Sequence, residues 1–165
     1  NIIKSLTNEY TSECASTRRL LASVPMYKLS WRPHEKSMPL GNLAIHIADL
    51  PNWVPITLER SELDFATEPY NPKKATTTEE LLKIHDDATA AALQSIQNSS
   101  AEVLVKENWT MRNGDKVYFT MPKIAVLRSS AFNHLYHHRG QLSVYLRLLD
   151  IPIPGMYGPT ADNPM

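Results

Sequence analysis

An all-α fold is what this sequence predicts: a four-helix bundle with a small β-hairpin before the last helix and an extended C-terminal tail. Three observations predict it. The 12 prolines of the 165-residue chain leave residues 1–24, 73–121 and 123–151 without proline. Proline is expelled from helix interiors because it lacks an N–H and collides with the preceding turn. Those stretches carry apolar residues at steps of three and four, the period of an amphipathic helix. Only 5 glycines are present, too few for a fold built on many tight β-turns. The length suits a single domain over residues 1–165 with one sizeable core.

The first helix is predicted over residues 2–21, with Ile3, Leu6, Tyr10, Cys14, Thr17 and Leu21 along one seam. Residues 22–37 have no period and two prolines, so they read as a loop. A second helix is expected to begin with Ser37 as N-cap, since Pro39 is tolerated only in a first turn. Leu43, His46, Leu50 and Trp53 share one of its faces, and Pro51 should end or kink it. Residues 55–76 hold three prolines and a polar Asn-Pro-Lys-Lys run, and read as a long connection. The third helix starts near Thr78 and reaches about Asn98, with Glu79 and Glu80 at the positive end of its dipole. Asn113-Gly114 signals a hairpin that puts Trp109 and Met111 on the same side. The fourth helix opens at Pro122 and runs to about Leu149; the Pro- and Gly-rich tail beyond it cannot continue the helix.

Composition excludes several function classes. Seventeen basic residues balance 17 acidic ones, which removes the electrostatic footprint of a nucleic-acid-binding protein. No run approaches the roughly 18 apolar residues that a membrane span needs, and no signal peptide is read, so a cytoplasmic protein with no membrane partner is expected. The single cysteine, Cys14, can make neither an internal disulfide nor a Cys-rich zinc site, and reads as a small buried hydrophobe. The six histidines are then the side chains whose charge changes near neutral pH.

A wheel at ~100° per residue with His134 at the origin puts Leu127 and Tyr145 near ~20° and His138 near ~40°. Ala131, Leu142 and Leu149 complete this apolar arc, with His137 at its rim. His46 stands among Leu43, Leu50 and Trp53 in the same way. Three imidazoles aimed into one core need partners for their nitrogens. A divalent ion bound by the i,i+4 pair His134 and His138 and a third ring, His46, supplies them and leaves coordination positions open. With no cysteine on these faces, Zn, Ni, Fe, Mn or Co suits the donors. The structural alternative is that each ring is hydrogen-bonded within the core. Asp49 and Gln141, each about one turn beyond a candidate ligand, are candidates to hold a ligand N–H. His85 lies on the apolar arc of the third helix and could approach the site, and Tyr145 could donate to a substrate. His34, Asp86 and Asp87 read as solvated.

Two segments, NLAIHIADLPNW (42–53) and HLYHHRGQLSVYLRLLDIPIPGMYGP (134–159), closely resemble the DinB-like family of bacterial proteins. The resemblance extends over nearly the whole chain. It implies an up-down-down-up four-helix bundle, often dimeric, with a divalent metal held by three His: here His46, His134 and His138, with His137 a neighbouring non-ligand. Two features depart from the family pattern: Pro51 lies within the second helix, and His85 matches no family ligand. The wider group includes thiol-dependent transferases, which implies a low-molecular-weight thiol as a second cofactor. The expected function is therefore a metal-dependent enzyme on a small-molecule substrate, a hydrolase or a thiol-dependent S-transferase. For hydrolysis, Asp49 and His85 are the candidate general bases. The alternative is a non-catalytic metal- or ligand-binding stress-response protein. A homodimer is expected through Val126, Val144 and Leu148 beside His137, where Gly140 permits close approach.

Overall fold

The computed structural model describes residues 1–164. Its first helix, α1 (Ile2–Ala22), is capped by the Asn1 side chain, which accepts from the Ile3 N–H at 3.0 Å. It buries the foreseen seam of Leu6, Tyr10, Cys14, Thr17 and Leu21, adding Ser16 and Leu20. The loop that follows passes through one short 3₁₀ turn and then helps start the next helix. Helix α2 (Leu40–Asp49) has Pro39, not Ser37, at its cap position, with no side-chain hydrogen bond. Backbone carbonyls replace the missing cap: Leu40 N–H donates to Trp31 at 2.8 Å and Gly41 N–H to Leu29 at 2.9 Å. A Cβ at position 41 would stand 3.0 Å from the Leu29 Cβ, so glycine permits this approach.

Pro51 ends α2 inside a 3₁₀ turn, Leu50–Asn52, and a further helix, α3 (Trp53–Glu59), follows at once. Residues 55–59 are therefore helical, not part of a connection; Pro55 falls in the first turn, where its missing N–H costs no helical bond. Strand β1 (Glu62–Asp64) was equally unforeseen, because three residues are too few to display an alternating pattern. After an irregular run, α4 (Thr78–Asn98) begins with a complete capping box. The Thr77 hydroxyl accepts from Glu80 N–H while the Glu80 carboxylate accepts from Thr77 N–H. A short helix, α5 (Ala101–Lys106), opens the segment read as hairpin alone.

Strands β2 (Asn108–Asn113) and β3 (Lys116–Pro122) pair antiparallel, and β1 pairs parallel to β2, giving the order β1-β2-β3. The all-α expectation is thus corrected to a mostly helical fold with a small three-stranded sheet. Gly114 takes the positive φ of 58° that the two-residue turn requires. Trp109 is fully buried with Leu63 and Val126, Met111 packs at the edge of the same cluster, and Trp109 Nε1 donates to the Ile56 carbonyl at 3.0 Å.

The last helical segment runs from α6 (Lys123–Val126) through a π-helical stretch, Leu127–Phe132, into α7 (Asn133–Leu148). Helices α1 and α2 each pack on both α4 and α7, and the main core lies between them. Beyond α7 the tail is irregular and lays Ile151, Ile153 and Met156 against that core. Among the described residues no helix is long and apolar enough to cross a membrane.

Candidate metal centre

Three imidazoles from two helices converge on one point. His46 comes from the middle of α2, and His134 and His138 come from the first two turns of α7, where their i,i+4 spacing stacks them on one flank. One nitrogen of each ring lies within 4.8 Å of the others. The ring centroids are 5.0 Å apart for His46 and His134, 4.6 Å for His46 and His138, and 4.7 Å for His134 and His138.

The outer nitrogens decide the tautomers. His134 Nδ1 is 3.2 Å from the Ser130 carbonyl and His138 Nδ1 is 2.7 Å from Gln141 Oε1. Both oxygens can only accept, so each Nδ1 carries its proton and each Nε2 presents a lone pair. His46 Nε2 and His134 Nε2 stand 3.3 Å apart. Two imidazoles on one tetrahedral zinc at roughly 2.0–2.1 Å hold their nitrogens about 3.3 Å apart. The donor set and its spacing therefore fit a divalent ion. Burial, followed by the neighbouring His138 and His134, lowers the His46 pKa to about 4. Burial likewise lowers His134 and His138, so all three rings are neutral at neutral pH, the form in which imidazole binds metal.

His46 and His134 open onto a cavity of about 860 Å³ between α2, α3 and the connection from Phe65 to Thr76. Its walls are mainly apolar, with Trp53, Phe65 and Tyr70 among them. Asp49 also lines it, accepting from Asn52 Nδ2 at 2.8 Å and pairing with Lys73 Nζ at 3.0 Å.

Not every candidate joins this constellation. His85 is buried between α4 and α1, where its Nε2–H donates to the Cys14 carbonyl at 3.0 Å, and it is no member of the cluster. Tyr145 packs edge-on against Trp31 and spends its hydroxyl on the Met38 carbonyl at 3.0 Å. His137 is exposed, with its ring beside His138. Cys14 is buried in the core, and that burial pushes its thiol up to about 11.

The wheel centred the apolar face of the last helix on His134 and His138. The structure centres it on Leu135, Arg139, Leu142 and Leu146, with the two histidines on the flank. Arg139 is what periodicity missed. It is buried and answered by the Glu13 carboxylate, the Glu13 carbonyl at 3.0 Å, the Thr17 hydroxyl at 3.2 Å and the Tyr157 hydroxyl. The aromatic and lysine wall of the cavity was also missed, because it lies in a run that carries no period.

Comparison with known proteins follows the same outline. The model of the DinB family matches residues 3–164. An uncharacterized Bacillus subtilis protein, YrdA, is 23% identical over 156 residues, 92% of this chain and 85% of that protein. The crystal structure of a DinB-like protein from Bacillus subtilis superposes with a TM-score of 0.71 at 18% identity, covering 94% of this chain and 98% of that one. A DinB-like protein from Bacillus cereus gives 0.64 at 21% identity, over 91% and 94% of the two chains.

Proposed function

Since this chain belongs to the DinB family, we propose that it is a metal-dependent enzyme whose centre, His46, His134 and His138, acts on a small molecule held in the adjoining cavity. One observation carries the reading: three imidazoles stand at ligand spacing, two with their outer N–H groups fixed on oxygens, and two of the three, His46 and His134, line an open cavity. A saturated storage site would need no such space, and the cavity therefore supports catalysis over the non-catalytic alternative. A bound Zn, Ni, Fe, Mn or Co ion supplies Lewis acidity and makes a coordinated protic group more acidic. The chain contributes the rest. Gln141 and the Ser130 carbonyl hold the orientation of two rings, and the apolar walls exclude water from whatever the cavity takes.

Two reaction types fit. For hydrolysis, Asp49 is the cavity carboxylate able to accept a proton; for transfer of a low-molecular-weight thiol no protein base is required. Asp49→Asn separates them, since loss of ester or amide turnover with metal content retained indicates hydrolysis. An unchanged thiol-transfer rate indicates the transferase. The up-down-down-up bundle belongs to the same reading, supported by the packing of α1 and α2 on both α4 and α7.

Elemental analysis of tag-free protein tests the centre. Close to one divalent ion per chain is expected, lost in His46→Ala, His134→Ala and His138→Ala and kept in His137→Ala. Less than a small fraction of one ion after reloading removes the reading.

A further inference from the structure

The cavity beside the histidines has a charge pattern as well as a shape. Its lining is mostly side chains of low polarity, and its charged groups are His-flanking Asp49 and two lysines, Lys73 and Lys74. Asp49 and Lys73 neutralise each other at 3.0 Å. Lys74 has no acidic partner among the described residues, so one cation of the wall is uncommitted. Lys74 is carried by the connection after β1, whereas the imidazoles are carried by α2 and α7. Lys74 and the imidazoles of His46 and His134 therefore line the cavity from separate elements. Tyr70, on the same connection, lines the cavity while 64% exposed, an aromatic surface that a ligand would cover. Cavities of roughly 300–1,000 Å³ hold ligands of small-organic size.

We infer that the cavity binds a small organic acid: an apolar or aromatic body packed on Trp53, Phe65 and Tyr70, with its carboxylate answered by Lys74. The inference names the class of substrate for the centre proposed above, and it rests on that reading for its chemistry but not for its binding. A free lysine is a point charge that favours an anion over a neutral isostere, whereas a purely apolar cavity does not distinguish the two except by desolvation, which penalises the acid. The sign of the preference is thus diagnostic.

The test is a titration of the full chain with octanoate, octanamide and octylammonium, read by calorimetry and by the change in tryptophan fluorescence, in metal-free and metal-loaded protein. Octanoate is expected to bind about tenfold more tightly than octanamide, as hydrogen bonds to charged groups do relative to neutral ones, and octylammonium most weakly. Lys74→Glu is expected to remove that preference. Lys4→Glu makes the same charge change on exposed α1 and should leave the preference intact. Tyr70→Ala should weaken octanoate and octanamide alike. Equal binding of acid and amide, or a preference that survives Lys74→Glu, overturns the inference. Metal content is measured on the same samples, so acid binding without metal removes only the catalytic reading, and metal without acid preference removes only this one.

Discussion

Arg139 lies next to His138 in the chain, yet it points into the core where His138 does not. A charge at that position reads as solvent-facing, and the wheel consequently rolled the helix face toward the histidines. The burial is possible because Glu13, Thr17 and Tyr157 answer the guanidinium from α1 and from the tail. Removing one partner of such a buried pair leaves an uncompensated charge, while replacing both with apolar groups does not. Arg139→Ala is therefore expected to destabilise the fold by about 3–5 kcal/mol. Glu13→Leu with Arg139→Met should cost far less; urea denaturation of the two variants checks this, and equal losses would contradict it. The three imidazoles were legible as residues, since i,i+4 spacing and the face of α2 singled them out. Their partners were less so: Gln141 could be named from spacing, but the Ser130 carbonyl is a backbone group that no side-chain pattern reveals.

Elements were read well where many residues repeat one period and poorly where few do. Helix α4 was placed at both ends, because it is long and Glu79 and Glu80 mark its start; its capping box is local chemistry, and Thr77→Ala is expected to lower stability by about 1 kcal/mol, seen as a fall in Tm. Helices α3 and α5, with seven and six residues, and strand β1, with three, are held by what they pack on and carry little pattern of their own. The junction of β1 with the hairpin turn makes a pH prediction. The Asp64 carboxylate accepts from Gly114 and Ala66 N–H groups, both at 2.9 Å, and pairs with Arg112 at 3.0 Å, beside Glu62 on the same guanidinium. Those backbone hydrogen bonds, helped by Arg112, hold its pKa below the ordinary carboxylate value. Its stabilisation is fully present above the unfolded pKa of about 3.9 and lost as pH falls through the lower folded value. Asp64→Ala should thus lower the urea midpoint at pH 7. The gap to the unmodified chain should narrow only below about pH 4; a gap constant down to the acid transition would refute it.

Across the whole molecule, the π-helical stretch at Leu127–Phe132 explains why a wheel carried from Leu127 to His134 drifts out of phase: its i→i+5 bonds turn the chain less per residue. The mostly helical fold, the hairpin and the tail were all visible in the proline spacing and the Asn-Gly pair, but the sheet's third strand needed the tertiary contact that makes it. We propose that two copies associate through the outer stripe of α7, where Val144 and Leu148 are 57% and 58% exposed and nothing stands within 4 Å of a Cβ added at Gly140. Val126, expected in that stripe, is instead buried against Trp109. Light scattering at micromolar concentration should give twice the chain mass, and Val144→Glu should halve it; a monomer in both cases rejects the dimer. The cavity wall between Phe65 and Thr76 has one more consequence. The imidazoles stand on long helices that the core fixes, whereas the facing wall is irregular chain tied down at few points. Lineages can rewrite that wall, by insertion or by exchange of its lysines and aromatics, without disturbing the helices that carry the histidines. The fold thus separates what holds the histidines from what shapes the space beside them, so that one can change while the other stays.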